Sequence, residues 1–143
     1  MELFFLIAFV GVTYFFYIRT DKKPARLKRL SINGEAAALD KIVELKNFAN
    51  LRVGLLNHAS LDERSGLLLY GGRKIHTMGM LFAIDLAFLD GDGHVLALHH
   101  GVEPGERRVV GPRKSKAVLE LSSGRLDQLE IKPGDRLGFD GIV

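Results

Sequence analysis

A run of apolar residues at the N-terminus constrains this chain more than any other feature. The run extends from Leu3 to Ile18 and is interrupted only by Gly11 and Thr13. Such a run can be a cleaved signal peptide, a buried core helix or a membrane anchor. A signal peptide needs positive charge before its apolar core and a small-residue cleavage site after it. The sequence has only Glu2 before the run and no such site behind it.

The two remaining alternatives differ in the size of protein that each requires. A helix that is apolar all round needs a large protein to bury it, whereas this chain has 143 residues. A membrane span takes about 17–25 residues, and snorkelling of Arg19 extends a run that is slightly short. Tyr14 and Tyr17 suit the aromatic belt at a membrane interface. The sequence therefore predicts a transmembrane helix as an anchor over residues 1–20.

The distribution of charge predicts the orientation of that anchor. Residues 1–30 carry six basic and two acidic residues, whereas residues 31–143 carry 14 basic and 15 acidic residues. The basic residues beside the run, which also favour anionic lipid headgroups, are Arg19, Lys22, Lys23, Arg26, Lys28 and Arg29. The positive-inside rule predicts a bacterial inner-membrane protein with its N-terminus outside and its domain in the cytoplasm. Because residues 31–143 are nearly neutral, nucleic acid is not an expected partner.

Residues 28–143, after a basic linker at 21–27, are predicted to form an α+β fold. We expect a compact, β-rich domain of short, mainly antiparallel strands with one or two short helices. Asn33-Gly34 predicts a tight hairpin turn, and helical spacing of apolar residues predicts a helix over 48–57. The clearest strand, 80–89, is apolar on both faces, which indicates a central strand covered on both sides. The chain has no cysteine, so disulfides and thiolate metal sites are excluded.

Several separated blocks of sequence resemble one family. The blocks are Arg52–Leu56, Ser60-Leu61, Gly66–Leu69, Ile75–Met80, Ile84–Val95, Val118–Leu121, Gly124 and Pro133–Leu137. Together they resemble domain of unknown function family 192 of bacteria and archaea, over about residues 28–140. The resemblance implies a compact, mixed, β-rich fold and no established activity. The chain departs from the family at Ala83, where a proline is usual, and at Gly71-Gly72, where a cysteine is common.

Asp85 is the most notable single residue, because an unpaired carboxylate inside an apolar strand costs several kcal/mol or more or takes up a proton. It is either a general base or ligand group at a pocket, or a structural carboxylate that accepts backbone N–H bonds or pairs with Arg52. His76 and Thr77 precede the same strand and are candidates for acid–base chemistry or anion binding. The catalytic candidates are therefore His76, Thr77 and Asp85, and none is assigned.

No metal or cofactor site is expected. His94 and His100 share one face of a strand while His99 points the other way, so one strand cannot bring all three to one ion. The turn at 90–93 lacks the remaining ligands of a calcium loop, so we interpret it as a hairpin turn. No phosphate loop, nucleophile elbow or zinc-protease motif occurs in the sequence.

A second basic cluster lies in a predicted loop and comprises Arg107, Arg108, Arg113 and Lys114, with Lys116 nearby. It is either a solvated surface or a binding surface for an acidic partner or lipid headgroups. With an anchor and no catalytic motif, the sequence predicts a non-catalytic accessory module. Its expected partners are the lipid bilayer and other membrane proteins of a larger bacterial assembly. The alternative function is a small enzyme or ligand-binding domain with a pocket around His76 and Asp85.

Overall fold

The structure, a computed structural model of the chain, describes residues 27–46, 60–71 and 73–141, together with the backbone of residues 2–9 and 12–19. The predicted helix over 48–57, the predicted linker residues Lys22, Lys23 and Arg26, and Arg52 lie outside these ranges. The described elements other than the two N-terminal strands belong to a β-rich domain with one short helix.

The N-terminal apolar run differs from its prediction. Strands β1 (Glu2–Phe9) and β2 (Val12–Arg19) pair antiparallel, with Glu2 opposite Arg19 and Phe9 opposite Val12. No helix within the described residues is long and apolar enough to cross a membrane. The predicted transmembrane helix is therefore not supported. The run is rich in aromatic and β-branched residues, which favour strands, and an apolar run without periodicity does not distinguish helix from strand.

The domain is built on one eight-stranded sheet and a small two-stranded sheet. Its strands and helix are β3 (Lys28–Ile32), β4 (Glu35–Ala36), β5 (Lys41–Leu45), β6 (Ser65–Tyr70), β7 (Lys74–Ile75), β8 (Ile84–Leu89), β9 (Val95–Val102), β10 (Val109–Val110), β11 (Ala117–Ser122), α1 (Arg125–Gln128) and β12 (Leu137–Gly141). The large sheet has the order β12-β3-β5-β6-β11-β8-β9, with β4 paired to β3, and β7 pairs with β10. All described pairs are antiparallel except β5 with β6.

The two ends of the large sheet meet, so the sheet closes on itself. His94 forms a bridge with Arg136. The N–H of Val95 donates to the carbonyl of Asp135 at 2.8 Å, and the N–H of Leu137 donates to the carbonyl of Gly93 at 2.8 Å. Closure satisfies backbone groups that the edge strands β9 and β12 would otherwise leave unpaired.

The sheet carries a separate apolar cluster on each face. The inner cluster contains residues from all seven strands of the path and from α1: Leu30, Leu39, Ile42, Leu68, Ala87, Leu89, Val95, Ala117, Leu119, Leu121, Leu126, Ile131 and Leu137. The outer cluster lies on the opposite face: Val43, Leu61, Leu67, Leu69, Ile75, Met80, Ile84, Leu86, Phe88 and Val118. The alternation of β8 between the two clusters confirms the prediction of a strand covered on both faces.

Two local predictions have different outcomes. The hairpin at Asn33-Gly34 is confirmed, with φ angles of 51° and 89° that suit the turn. The strand predicted over 80–89 is shorter, because β8 begins at Ile84. The N–H of Met80 instead donates to the carbonyl of Thr77 at 3.2 Å, which closes a turn at a position with Gly79 at φ 80°. Apolar alternation alone did not reveal this turn.

Candidate functional site

Asp85 lies on the inner face of β8 and is completely buried. Its Oδ1 accepts the N–H of Gly101 at 2.8 Å, and its Oδ2 accepts the N–H of Leu126 at 3.0 Å. Leu126 belongs to the first turn of α1, whose N–H groups have no partner within the helix. The carboxylate therefore joins β8, β9 and α1 through backbone hydrogen bonds. This geometry matches the structural interpretation of Asp85 as a carboxylate that accepts backbone N–H groups. Arg52, the alternative partner, lies outside the described residues.

Thr77 is completely buried and holds the loop that follows β9. Its hydroxyl donates to the carbonyl of Glu103 at 2.6 Å and accepts the N–H of Glu106 at 2.9 Å. Its backbone N–H donates to the carbonyl of Glu106 at 2.9 Å. Every hydrogen-bonding group of Thr77 is thus engaged with the chain itself, so the residue joins two loops.

His76 is exposed, although both of its sequence neighbours are buried. Asp85 is buried on the inner side of the sheet, and both of its oxygens accept backbone N–H groups. The structure therefore does not bring His76 and Asp85 together in one pocket.

The histidines after β8 are dispersed. His100 Nδ1 lies 3.5 Å from Asp127, and the ring of His99 contacts Phe88 edge-on with centroids 5.4 Å apart. His94 Nδ1 lies 3.3 Å from Asp90 Oδ2. His94 precedes β9, which begins at Val95, so the three histidines do not lie on one strand as predicted.

The turn after β8 gathers side chains that could ligate an ion. One ligand atom each from Asp90, Asp92 and His94 lies within 4.8 Å of the others. Asp90 Oδ1 already accepts the N–H groups of His94 and Asp92, each at 2.9 Å, and these bonds lower the pKa of Asp90. Asp92 and His94 are exposed. We interpret the three residues as a turn that the hydrogen bonds to Asp90 stabilise.

Glu120 is a buried carboxyl group outside the set of residues predicted from the sequence. It is 5% exposed on β11, opposite Leu67 of β6 and Leu86 of β8. Burial raises its pKa to about 7. Ser65 lies two residues before Leu67, so it shares this face of the sheet, and its hydroxyl has no hydrogen-bond partner among the described residues. In the sequence, a charged residue inside the apolar stretch 117–121 indicates a buried carboxyl group.

Two loop segments, 73–83 and 103–114, lie together over the outer face; we call them the cover. Strand β7 pairs with β10 within the cover, and the N–H of Gly111 donates to the carbonyl of Arg73 at 2.7 Å. A Cβ at Gly111 would lie 2.1 Å from Cδ1 of Phe88, so the backbone packs directly on that ring. Thr77 provides further bonds between the two segments. The cover is therefore a fixed surface layer.

The cover carries all the exposed large hydrophobic side chains of the described residues. Met78 is 47% exposed, Leu81 is 65% exposed and Val110 is 37% exposed. Leu81 belongs to the predicted strand 80–89, and that prediction is wrong here because the turn after Thr77 directs this stretch to the surface.

The predicted basic loop belongs to the same cover. Arg107, Arg108, Arg113 and Lys114 are exposed. Within the described part of the chain, their side chains form no ion pair or hydrogen bond. Lys74, in the other segment of the cover, is likewise exposed and has no such partner. The cover therefore combines exposed apolar side chains with five unpaired cations.

The other predicted basic cluster begins at Arg19 and ends within the first strand of the domain. Lys28 is half-buried and Arg29 is exposed, and both belong to β3. For Arg19 the structure describes the backbone, at the end of β2.

The comparisons with known proteins agree with this fold. The model of the family DUF192, described as "Uncharacterized ACR", matches residues 29–139. The chain belongs to this family. The resemblance inferred from the sequence blocks is thus confirmed, and the family is uncharacterised. Comparison with curated proteins gives no match.

Two solved structures share the fold of this DUF192 domain. A candidate transcription regulator from Sinorhizobium meliloti 1021 aligns with a TM-score of 0.70 and 20% identity, covering 82% of this chain and 97% of its own. A protein of unknown function from Novosphingobium aromaticivorans DSM 12444 aligns with a TM-score of 0.67 and 19% identity, covering 78% of this chain and 84% of its own. At these identities the likeness shows the fold alone.

Proposed function

We propose that this DUF192 protein is a membrane-tethered, non-catalytic interaction module, and that it serves as an accessory subunit of a larger membrane assembly. The cover is its contact surface. The observation that carries the proposal is the coincidence of exposed Met78, Leu81 and Val110 with unpaired cations on one fixed layer. Exposed apolar patches rimmed by polar groups mark interaction sites.

The composition of the cover favours an acidic protein partner over a lipid surface. Three of its five unpaired cations are arginine, namely Arg107, Arg108 and Arg113. Arginine and methionine are enriched at protein interfaces, whereas lysine is depleted there. Arginine also pairs with carboxylates through two parallel hydrogen bonds, which gives geometric specificity.

In the proposal, residues 1–20 hold the domain at a bacterial inner membrane. The apolar run and its basic flank support this placement, and the positive-inside rule puts residues 28–143 in the cytoplasm. The cysteine-free chain allows a direct test with Glu130→Cys, because Glu130 is exposed. A membrane-impermeant maleimide should label this variant only after the inner membrane is opened. Labelling in spheroplasts with an intact membrane would place the domain outside.

The proposal assigns no catalytic role to the candidates from the sequence. Both carboxylate oxygens of Asp85 accept backbone N–H groups. The hydroxyl of Thr77 donates one hydrogen bond and accepts another within the chain. A general base must be within hydrogen-bond reach of the proton that it removes, and His76 faces solvent away from Asp85. These placements support a structural function for Asp85 and Thr77.

The proposal is tested by purifying the tagged full chain from native membranes in a mild detergent. We expect the wild-type chain to co-purify with a membrane protein in constant ratio, and Arg107→Glu/Arg108→Glu to lose it. The matched control is Lys132→Glu, because Lys132 is an exposed cation outside the cover. A wild-type chain that elutes alone, or a partner retained equally by both charge-reversal variants, would contradict the proposal.

A further inference from the structure

A cavity of about 240 Å³ opens at one end of the closed sheet. Its walls are the ends of β5, β6 and β8, the turn after β8, the start of β11 and part of β12. This is smaller than the roughly 300–1,000 Å³ of sites for drug-sized ligands. The mouth of such a sheet is a common location for ligand sites.

The floor of the cavity is apolar and its rim is acidic. Leu68, Leu89, Ala117 and Leu137, all buried members of the inner cluster, line the cavity together with the aromatic rings of Tyr70 and Phe139. The charged side chains that line it are Glu44, Asp90 and Asp92. Among the described residues, the lining contains no cationic side chain.

Tyr70 and Glu44 line one side of the cavity and are joined by a hydrogen bond. The Tyr70 hydroxyl donates to Oε1 of Glu44 at 3.1 Å. Burial and the neighbouring Glu44 carboxylate raise the pKa of Tyr70 to about 12, so the phenol stays neutral. The hydrogen bond occupies one carboxylate oxygen and fixes the orientation of the group.

Three basic side chains lie beside the cavity, and none is part of its described lining. The Nδ1 of His94 lies 3.3 Å from Oδ2 of Asp90. The Nε of Arg136 donates to the backbone carbonyl of Asp92 at 3.3 Å, and the stem of Lys116 lies beside Gly91. The cavity itself therefore presents carboxylates and aromatic rings above an apolar floor.

We propose that this cavity binds a small organic ammonium ion. The charged nitrogen faces the carboxylates of Glu44, Asp90 and Asp92, and the hydrocarbon part lies on the apolar floor. The rings of Tyr70 and Phe139 attract a cation through their negative faces. A free metal ion would leave the apolar floor unused, and an anion would meet three carboxylates. This site is separate from the cover, so it stands independently of the proposed function.

The test is isothermal titration of the full chain, in micelles of an uncharged detergent, with n-butylammonium chloride. Matched probes are n-butanol, which keeps the hydrocarbon without the charge, and sodium butyrate, which reverses the charge. We expect saturable binding of n-butylammonium, at least about tenfold tighter than that of either matched probe, because a charged hydrogen bond adds about 1.5–3 kcal/mol.

Three variants complete the design. Glu44→Gln keeps an acceptor for Tyr70 and should weaken n-butylammonium binding about tenfold. Phe139→Leu keeps the apolar volume without the ring and should also weaken it, whereas Glu63→Gln, an exposed carboxylate outside the cavity, should not. Circular dichroism verifies that each variant is folded. Equal binding of n-butanol, unchanged affinity in folded Glu44→Gln, or no n-butylammonium binding by the wild-type chain would overturn the proposal.

Discussion

Asp85 and Glu120 show two ways in which this domain accommodates a buried carboxyl group. Asp85 accepts two backbone N–H groups, one at each carboxylate oxygen. Glu120 has no hydrogen bond or ion pair from its side chain within the described residues, and burial raises its pKa. Both lie in apolar strand sequences, yet their environments are opposite.

The first prediction concerns Asp85→Asn. An amide has one acceptor oxygen, so one of the two N–H groups of Gly101 and Leu126 would face an NH₂ donor. We expect the free energy of unfolding to fall by about 3 kcal/mol. Urea denaturation measures this change, with the exposed Asp140→Asn as a control. A loss no larger than that of the control would show that these bonds do not hold α1 to the sheet.

The second prediction is a pH dependence that comes from Glu120. Its pKa rises from the model-peptide value of 4.5 to about 7 on folding, so the folded state takes up a proton. The stability contributed by protonated Glu120 is complete below pH 4.5 and is lost as the pH rises through 7. The loss amounts to about 3 kcal/mol.

Glu120→Gln separates this contribution from that of other groups. The variant should abolish most of the fall in stability between pH 5 and pH 8 seen in urea titrations of the wild-type chain. The carboxyl groups with lowered pKa, at Asp40, Asp90 and Asp135, titrate below this window. If both proteins show the same slope with pH, Glu120 is already ionised in the folded state.

At the level of elements, closure of the sheet depends on a glycine. Gly93 has φ 89°, and a Cβ there would lie 2.3 Å from the carbonyl oxygen of Leu137. That oxygen lies across the junction between β9 and β12. Gly34 also has φ 89°, but nothing lies within 4 Å of its Cβ position. An alanine at either position would have to adopt the same left-handed backbone conformation. The two positions differ in the contact that its Cβ would make.

The third prediction uses this matched pair. Gly34→Ala should lower the free energy of unfolding by about 1–2 kcal/mol, the cost of a left-handed conformation. Gly93→Ala should cost at least about 1–3 kcal/mol more, because the Cβ forces the strands apart. Thermal and urea unfolding of both variants measure the difference. Equal losses would mean that the junction yields without cost.

The fourth prediction concerns the attachment of the cover. Thr77→Val removes the hydroxyl that bonds the carbonyl of Glu103 and the N–H of Glu106. We expect faster trypsin cleavage at Arg107 and Arg108, because the loop opens more often. Thr77→Ser keeps the hydroxyl and should be cleaved at nearly the wild-type rate. Identical rates in all three proteins would show that this hydroxyl does not fix the loop.

Local patterns predicted the elements better than their contacts. Asn33-Gly34 encodes its turn directly, and the two-sided apolar pattern of β8 identified a covered strand. The exposed position of Leu81 depends on a turn closed by the carbonyl of Thr77, which periodicity does not reveal. Closure through His94 and Arg136 joins residues far apart in sequence. The partners of Asp85 follow from that tertiary arrangement and were likewise beyond local reasoning.

For the apolar N-terminal run, the sequence did not decide between helix and strand. Its length and charge flank predicted a helix, while its aromatic and β-branched residues also favour the paired strands that the structure describes. Composition alone supports an apolar segment in either conformation.

The domain is a closed sheet with two surfaces of different composition, the cover and the cavity. The cover joins exposed Met78 and Leu81 to unpaired arginines, and the cavity at the sheet mouth joins carboxylates to aromatic rings. Both surfaces lie on a scaffold that the inner and outer clusters stabilise. The proposed function, a tethered interaction module, is based on the cover and the apolar run together.

Site-specific photo-crosslinking in native membranes tests this central claim most directly. The photoreactive residue p-benzoylphenylalanine replaces Leu81, which is 65% exposed in the cover, or Glu63, which is exposed outside it. We expect one discrete crosslinked protein product from position 81 and none from position 63. No protein product at position 81, or the same products from both positions, would contradict the claim.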